Sequence, residues 1–248
     1  MTKTALVTGA ASGIGRACAL RLASNGMKVG VLDLNLEGAE RVASEIKAAG
    51  GQAVAAGANI ADRNQVRTVV AKVRETLGPI TVLVNNAGVS GFVPFEDITD
   101  EQWDEQFEVN AKGTFIVTQV VLPDMKSAKW GRVINISSSS AWCGSANLVH
   151  YSASKGAVVS FTRSLALALS PLGITVNNIP PGAVMQTTMS EAQKHLFKTH
   201  PDQMKNMLPV RRTGVPEDIA NACAWLASED TGYVTGQTIG VNGGSVLS

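Results

Sequence analysis

Thr8-Gly9-Ala10-Ala11-Ser12-Gly13-Ile14-Gly15 is the stretch on which the reading of the fold turns. Before it, residues 3–8 form a short apolar, β-prone run of the kind that makes a buried strand. After it, Ile14, Ala17, Leu20 and Leu22 recur at helical spacing until Asn25-Gly26 breaks the pattern. Glycines between a strand and a helix let the backbone turn sharply and approach a pyrophosphate, whose charge the helix N-terminus favours. The spacing is GxxxGxG, not the more familiar GxGxxG. With no ligand to bind, the same residues make a plain glycine turn.

The alternation continues along the chain. Further strands are expected at 28–33, 52–58, 80–84, 132–136 and 174–179, with a last one at 238–241. Helices are expected at 37–49, 62–77, 151–169 and 216–227. Another starts at an N-cap on Asp100, runs through the region up to Leu122 and weakens at Pro123. Pro216, with Glu217 and Asp218 in the first turn, suits a helix start, whereas 189–207 is more polar and reads as a mobile stretch. Strands alternating with helices imply right-handed crossovers. The fold class is therefore α/β, a doubly wound, Rossmann-like parallel sheet with helices on both faces, in a single domain spanning 1–248.

Composition excludes several functions. With 21 basic and 20 acidic side chains the net charge is +1, which steers the protein toward neither nucleic acid nor an anionic membrane. The three cysteines, Cys18, Cys143 and Cys223, lie far apart without zinc spacing, so no metal site and no disulfide framework is expected. No apolar run approaches the length needed to span a bilayer, and the N-terminal residues lack a signal-peptide build, so the expected location is cytoplasmic.

Four further features carry chemistry. Asp33 closes the second strand about 20 residues beyond the glycine turn, where a carboxylate reaches the hydroxyls of an adenosine ribose. The same charge repels the 2′-phosphate of NADP, and neither Ser12, Leu34 nor Asn35 supplies a cation, so the sequence favours NAD. The alternative is that Asp33 merely caps the following turn. Asn85-Asn86-Ala87-Gly88 suits the wall of a cofactor crevice or an ordinary turn. Tyr151 and Lys155, in His150-Tyr151-Ser152-Ala153-Ser154-Lys155-Gly156, stand four apart and share one helix face. A free phenol ionises near ~10. A lysine charge about 4 Å away, at an effective dielectric of ~20, is worth about 4 kcal/mol. That is enough to draw the phenol toward neutral pH and make it a working acid/base. Ser137 to Ser140 follow the fifth strand, where a hydroxyl can steady a developing alkoxide. Chemistry alone does not choose among the four.

Taken together, the glycine turn, the Asn85-Asn86-Ala87-Gly88 block, the serine strand end and Tyr151-x-x-x-Lys155 resemble the short-chain dehydrogenase/reductase family over essentially the whole chain. The resemblance implies that Ser138, thirteen residues before Tyr151, is the catalytic serine. It also implies that Asn110, in Val109-Asn110-Ala111-Lys112-Gly113, helps hold a water in a proton relay with Lys155; without it, Asn110 reads as a helix-kink amide. Lys155 would also bind the nicotinamide ribose, Pro181-Gly182 would pass the nicotinamide, and Asn59 and Ile60 would touch the adenine. The remaining implied cofactor contacts are Gly9, Ser12, Gly13, Ile14, Gly15, Asp33, Leu34, Asn86, Ala87, Gly88, Tyr151, Val184, Gln186 and Thr187. The chain departs from the pattern at Asn59 and Asn242, where aspartate is usual, and at Gln186, where a threonine is usual. Thr187 and Thr188 follow at once, which leaves the carboxamide contact shared between Gln186 and Thr187.

The implied activity is NAD-dependent interconversion of a secondary alcohol and a ketone by direct hydride transfer. Tyr151 exchanges the proton, Ser138 steadies the oxygen, Lys155 lowers the phenol, and no metal is needed. Ser138, Ser140, Trp142, Val149, Tyr151 and Met185 are the expected substrate contacts. Cys143, Met189, Leu196 and Phe197 are further apolar candidates, and 185–208 is the expected lid. Such a lining suits a hydrophobic steroid, aryl or alicyclic substrate. The alternative is a 3-oxoacyl thioester reductase, against which Asp33 weighs by disfavouring NADPH. A rival from another class is a catalytically idle NAD-binding sensor or scaffold, which needs only the glycine turn and Asp33. The resemblance also implies a homotetramer packed through long helices and the apolar stretch 233–246.

Overall fold

The computed structural model describes residues 2–192 and 201–247. Among these residues six strands form one parallel sheet: β1 (Thr4–Thr8), β2 (Lys28–Asp33), β3 (Ala53–Gly57), β4 (Ile80–Asn85), β5 (Gly131–Ile136) and β6 (Ile174–Ile179). Their spatial order is β3-β2-β1-β4-β5-β6. The helices are α1 (Gly13–Ser24), α2 (Leu36–Ala48), α3 (Arg63–Leu77), α4 (Asp100–Phe107), α5 (Thr114–Ala128), α6 (Ser140–Cys143), α7 (Val149–Leu169), α8 (Thr188–Ala192), α9 (Pro201–Met207) and α10 (Pro216–Leu226).

Neighbouring residues of a strand feed opposite layers, because side chains alternate across a sheet. Val7, Val31, Ile134 and Ile179 pack with Leu22 of α1, Ile46 of α2 and Ile219 of α10. Leu6, Leu83, Val133 and Val176 pack with Val70 of α3 and Ile116 and Val121 of α5 on the other face. The strand order reverses between β1 and β4. In such sheets that reversal opens a crevice beyond the carboxyl ends of the strands. The glycine turn after β1 and the Asn86–Gly88 block after β4 therefore meet there.

Three expectations are corrected. The helix expected from Asp100 is capped by Thr99, whose hydroxyl accepts from Gln102 N in a capping box. It then continues through a π-turn at Glu108–Gly113 and past Pro123 to Ala128. Tertiary contacts hold the turn after Pro123: Asp124 accepts from Arg74 Nε at 2.8 Å and from Ile80 N at 2.9 Å. The strand expected at 238–241 is reduced to isolated parallel bridges, Asn178 to Thr238 and Pro181 to Val241. Pro180, between the bonded residues Asn178 and Gly182, lacks the N–H donor that a continuous ladder requires. The polar stretch 189–207 contains parts of α8 and α9, while 193–200 lie outside the described residues.

Candidate active site

The glycine turn is fixed both by close approach of backbone to backbone and by side-chain bonds from outside it. A Cβ on Gly15 would lie 2.0 Å from the Gly9 carbonyl oxygen, and one on Gly9, where φ is +63°, would lie 2.7 Å from Ala87 Cα. Asn86 Nδ2 donates to the Thr8 and Gly9 carbonyls at 3.0 Å each, and Thr8 Oγ1 accepts from the amides of Asn86 and Ala87 at 3.0 Å. Thr8 is thus a positioning residue that sequence reasoning passed over, although its place as the last strand residue before Gly9 was visible. Ser12 makes no side-chain cap to α1, so the helix's first amides face the crevice without a side-chain partner. That is the arrangement that takes an anion.

Asp33 stands at this turn: Oδ2 accepts from Ala11 N and Oδ1 from Asn35 N, both at 2.9 Å. Leu34 points into solvent. The glycine cradle, the unengaged helix N-terminus and the Asp33 carboxylate fit a dinucleotide laid across the turn. Asn59 is less open than expected, because its Oδ1 already accepts from Ala61 N at 3.0 Å. Ile60 turns its side chain inward against Gly113, leaving only its backbone for an adenine. Across the crevice, Gly182 N donates to the Val241 carbonyl, and Val184 and Met185 pair with Gly214. A Cβ on Gly182 would meet Asn242 Cα at 2.8 Å. Gln186 is exposed at φ +62°. Thr187 Oγ1 accepts from Ser190 N at 2.9 Å, its Cβ lies 3.2 Å from an ideal Cβ on Gly13, and Thr188 Oγ1 donates to Ser12 Oγ at 2.9 Å.

The four expected catalytic residues converge at the ends of β4 and β5. Tyr151 and Lys155 are buried on one face of α7, with Lys155 Nζ 5.8 Å from the phenol ring centroid. Nζ donates to the Ile136 carbonyl at 3.0 Å. Burial lowers the Lys155 ammonium to about 8, leaving it mostly protonated at neutral pH. The expected acidification of Tyr151 is not found in the ligand-free crevice: burial raises the phenol to about 12, opposed only by a hydrogen bond with Ser138. Desolvation of the phenolate outweighs that hydrogen bond. Ser138 is the serine that reaches Tyr151. Ser140, expected as a substrate contact, is instead buried behind it, its amide and hydroxyl both donating to Ser138 Oγ at 3.2 and 3.0 Å.

Asn110 is engaged on every side. Its Oδ1 accepts from Val89 N at 2.9 Å, and its Nδ2 donates to the Val89 carbonyl, Gln106 Oε1 and Ser154 Oγ at 3.0, 3.1 and 2.9 Å. An ideal Cβ on Gly88 would lie 2.8 Å from Asn110 Oδ1 and 3.1 Å from Lys155 Nζ. The side chain therefore locks the Gly88-Val89 backbone beside the lysine. Gln106 and Ser154 had no sequence signal for this role, because it depends on the π-turn.

Of the expected substrate wall, Val149 and Met185 are half-buried near the crevice, and Trp142 lies against Gly240, 3.5 Å from an ideal Cβ there. Met189 and Cys143 are exposed. Leu196 and Phe197 lie outside the described residues, as does the middle of the expected lid. Among the described residues no cluster of metal-ligating side chains occurs, and no helix is long and apolar enough to cross a membrane.

Comparison with known proteins places this geometry. Residues 3–196 match the family described as short chain dehydrogenase. The chain is 41% identical over 248 residues to a 3-oxoacyl-[acyl-carrier-protein] reductase of Staphylococcus aureus, covering 100% of this chain and 99% of that protein. It is 38% identical over 245 residues to the BbsD subunit of (2S)-[(R)-hydroxy(phenyl)methyl]succinyl-CoA dehydrogenase from Thauera aromatica, covering 99% and 97%. A solved structure from Beutenbergia cavernae, assigned as an NAD(P)-dependent gluconate 5-dehydrogenase with NADP bound at low occupancy, superposes with a TM-score of 0.91. It shares 34% identity, and the match covers 98% of this chain and 96% of that one.

Proposed function

The chain belongs to the short-chain dehydrogenase/reductase family, and from that premise we propose that it interconverts the 3-hydroxyl and 3-keto forms of an acyl thioester, using NAD in preference to NADP. The observation that carries the reaction is the convergence of Ser138, Tyr151 and Lys155 at the crevice end. The thioester reading rests on two relatives named for it, an acyl-carrier-protein reductase and an acyl-CoA dehydrogenase. It takes precedence over the free hydrophobic alcohol or ketone that the sequence favoured. NAD is supported by Asp33, whose charge opposes a 2′-phosphate, and by Arg16 of α1 being paired with Glu45 at 2.5 Å.

A bound dihydronicotinamide supplies the hydride that the carbonyl carbon accepts. Ser138 holds the ketone oxygen by a hydrogen bond. Tyr151, protonated at neutral pH as any phenol is and more firmly so in its buried place, gives its phenolic proton to that oxygen as negative charge develops. Lys155, still cationic, stabilises the phenolate left behind. Oxidation of the alcohol runs the same steps in reverse and needs the phenol deprotonated first, so the ligand-free site is poised for reduction.

The test compares NADH with NADPH as reductant, and acetoacetyl-CoA with cyclohexanone as substrate, by the change in dihydronicotinamide absorbance. NADH with acetoacetyl-CoA should give the largest kcat/KM. Faster turnover with NADPH, or of cyclohexanone, contradicts the corresponding half of the reading. Tyr151→Phe should reduce turnover by at least about 100-fold, the lower range for a general acid, while NADH binding followed by fluorescence persists. Binding of NAD without turnover on either substrate would favour the idle-sensor alternative.

A further inference from the structure

Asn242 follows the segment that bridges to the edge of the sheet, at a position where aspartate is usual, and it takes no part in the steps above. Its half-buried side chain builds a turn. Oδ1 accepts from Gly244 N at 2.9 Å, and Nδ2 donates to the Val246 carbonyl at 2.9 Å. The Asn242 carbonyl accepts from Ser245 N at 3.2 Å. Gly243 and Gly244 stand at φ +64° and +82°, which lets the chain reverse without strain. A carboxylate can take the first of the two side-chain bonds and not the second, because it has no N–H to give.

Two segments rest on this turn. One is 182–185, which leaves the end of β6 and meets Val241 and Asn242 through Gly182. The other is 208–214, which leads from α9 to α10. Val210 N donates to the Gly243 carbonyl at 3.3 Å. Ideal Cβ atoms on Gly243 and Gly244 would lie 2.8 Å from Val210 Cγ2 and 2.9 Å from Pro209 Cγ. The two segments are tied to each other, with Met185 N donating to the Gly214 carbonyl at 3.0 Å and Gly214 N to the Ala183 carbonyl at 2.9 Å. Val184, Leu208, Val210 and Ile219 line a cleft of about 440 Å³, so backbone bonds and glycine contacts carry this part of the chain where packing is incomplete. Gly240 brings in a third neighbour. An ideal Cβ there would lie 3.2 Å from Asn242 Nδ2 and 3.5 Å from Trp142 Cζ3, in the helix that begins just after Ser138.

We propose that Asn242 is a positioning residue for the substrate: the turn its side chain builds fixes Trp142 and Met185, which follow the ends of β5 and β6, relative to one another beside the crevice. It acts through these neighbours and touches none of the reacting atoms. The bond to Val246 ties residues 245–247 back across the turn, and it is open to asparagine and closed to aspartate. When the turn loosens, the wall yields and substrate is held less firmly. Ser138, Tyr151 and Lys155 are fixed by β5 and α7 and keep their geometry, so the cost falls on KM and not on kcat. The inference rests on the crevice being the site of the proposed reaction, and not on which carbonyl compound enters it.

The experiment measures kcat, KM for acetoacetyl-CoA and cyclohexanone, and NADH binding by fluorescence in the wild type, Asn242→Ala, Asn242→Asp and Gly243→Ala. Asn242→Ala removes both side-chain bonds, Asn242→Asp keeps the acceptor alone, and Gly243→Ala pushes on Val210 while leaving Asn242 in place. KM for whichever compound is turned over should rise about 10-fold in Asn242→Ala, the effect of losing two modest hydrogen bonds. Gly243→Ala should follow it, Asn242→Asp should fall between it and the wild type, and kcat and NADH affinity should stay nearly constant. Hydrogen exchange read by mass spectrometry needs no turnover: in Asn242→Ala it should quicken in peptides covering 182–185 and 208–214 and not at the glycine turn. An unaltered KM, a fall in kcat at constant KM, or exchange that quickens throughout the chain overturns the proposal. If the wild type reduces neither compound, the proposed reaction fails, and the exchange pattern alone decides whether Asn242 holds these segments.

Discussion

Lys155 carries a testable electrostatic strain. Its ammonium is buried with one carbonyl partner, and its pKa falls from 10.5 in the open chain to about 8 in the fold. Below pH 8 both folded and unfolded chains hold the proton, and the folded protein bears the full penalty of a buried charge. Between 8 and 10.5 the folded chain releases the proton first, so stability rises with pH. The expected gain over that interval is roughly 3 kcal/mol. Urea unfolding of the ligand-free protein at stepped pH should show this rise, and Lys155→Met should lack it; parallel profiles in the two proteins would count against the buried cation. Tyr151 acts in the opposite sense only above pH 10, where its raised pKa begins to oppose folding. The spacing of Tyr151 and Lys155 announced their shared face, because i, i+4 geometry is local. The direction of the phenol's shift was not legible, because it depends on how much chain covers the hydroxyl. Ser140 was misplaced for a related reason: four consecutive serines look alike until Ser138 is seen to accept from one of them.

At the scale of elements, the turn between β1 and α1 was readable in full, since glycine is required wherever backbone meets backbone. Gly15→Ala tests that requirement directly. Its methyl would start 2.0 Å from the Gly9 carbonyl oxygen, which is backbone, and 2.5 Å from Asn86 Nδ2, a side-chain end tied to the Thr8 and Gly9 carbonyls. The turn must open, breaking the Asn86 bonds that join β4 to β1. Destabilisation of about 2–4 kcal/mol is expected, with loss of NADH binding even where the fold survives. Denaturation midpoints and fluorescence titration measure the two effects, and a variant that binds NADH normally would show that the turn is not the cradle. The π-turn at Glu108–Gly113 left no such signature. Its sequence offers only the helix-kink reading of Asn110, whose carboxamide bonds to Val89, Gln106 and Ser154 in three different segments. The last strand is broken for a reason the sequence carries: Pro180, between the bonded residues Asn178 and Gly182 of the adjacent segment, has no N–H to donate to it.

At the scale of the whole molecule, the layers leave apolar side chains uncovered on both sides of the sheet. Leu167 of α7 is 82% exposed and Phe115 of α5 is exposed on one side. On the other, Trp225 of α10 is about half exposed, and Tyr233 beyond it stands fully in solvent. Large apolar groups clustered on a surface mark association sites. One self-complementary patch closes a dimer, whereas two patches on different layers combine into a tetramer of dihedral symmetry. Light scattering coupled to gel filtration should therefore give the mass of four chains. Leu167→Glu places a charge on the exposed face of α7 and should leave dimers joined through the α10 side, with the fold intact by circular dichroism. A wild-type monomer would refute the argument at its premise. A tetrameric Leu167→Glu would refute the assignment of this patch, because a carboxylate cannot be buried there without a partner. Dimers that retain turnover would further show that each crevice is complete within one chain, as the convergence of Ser138, Tyr151 and Lys155 requires.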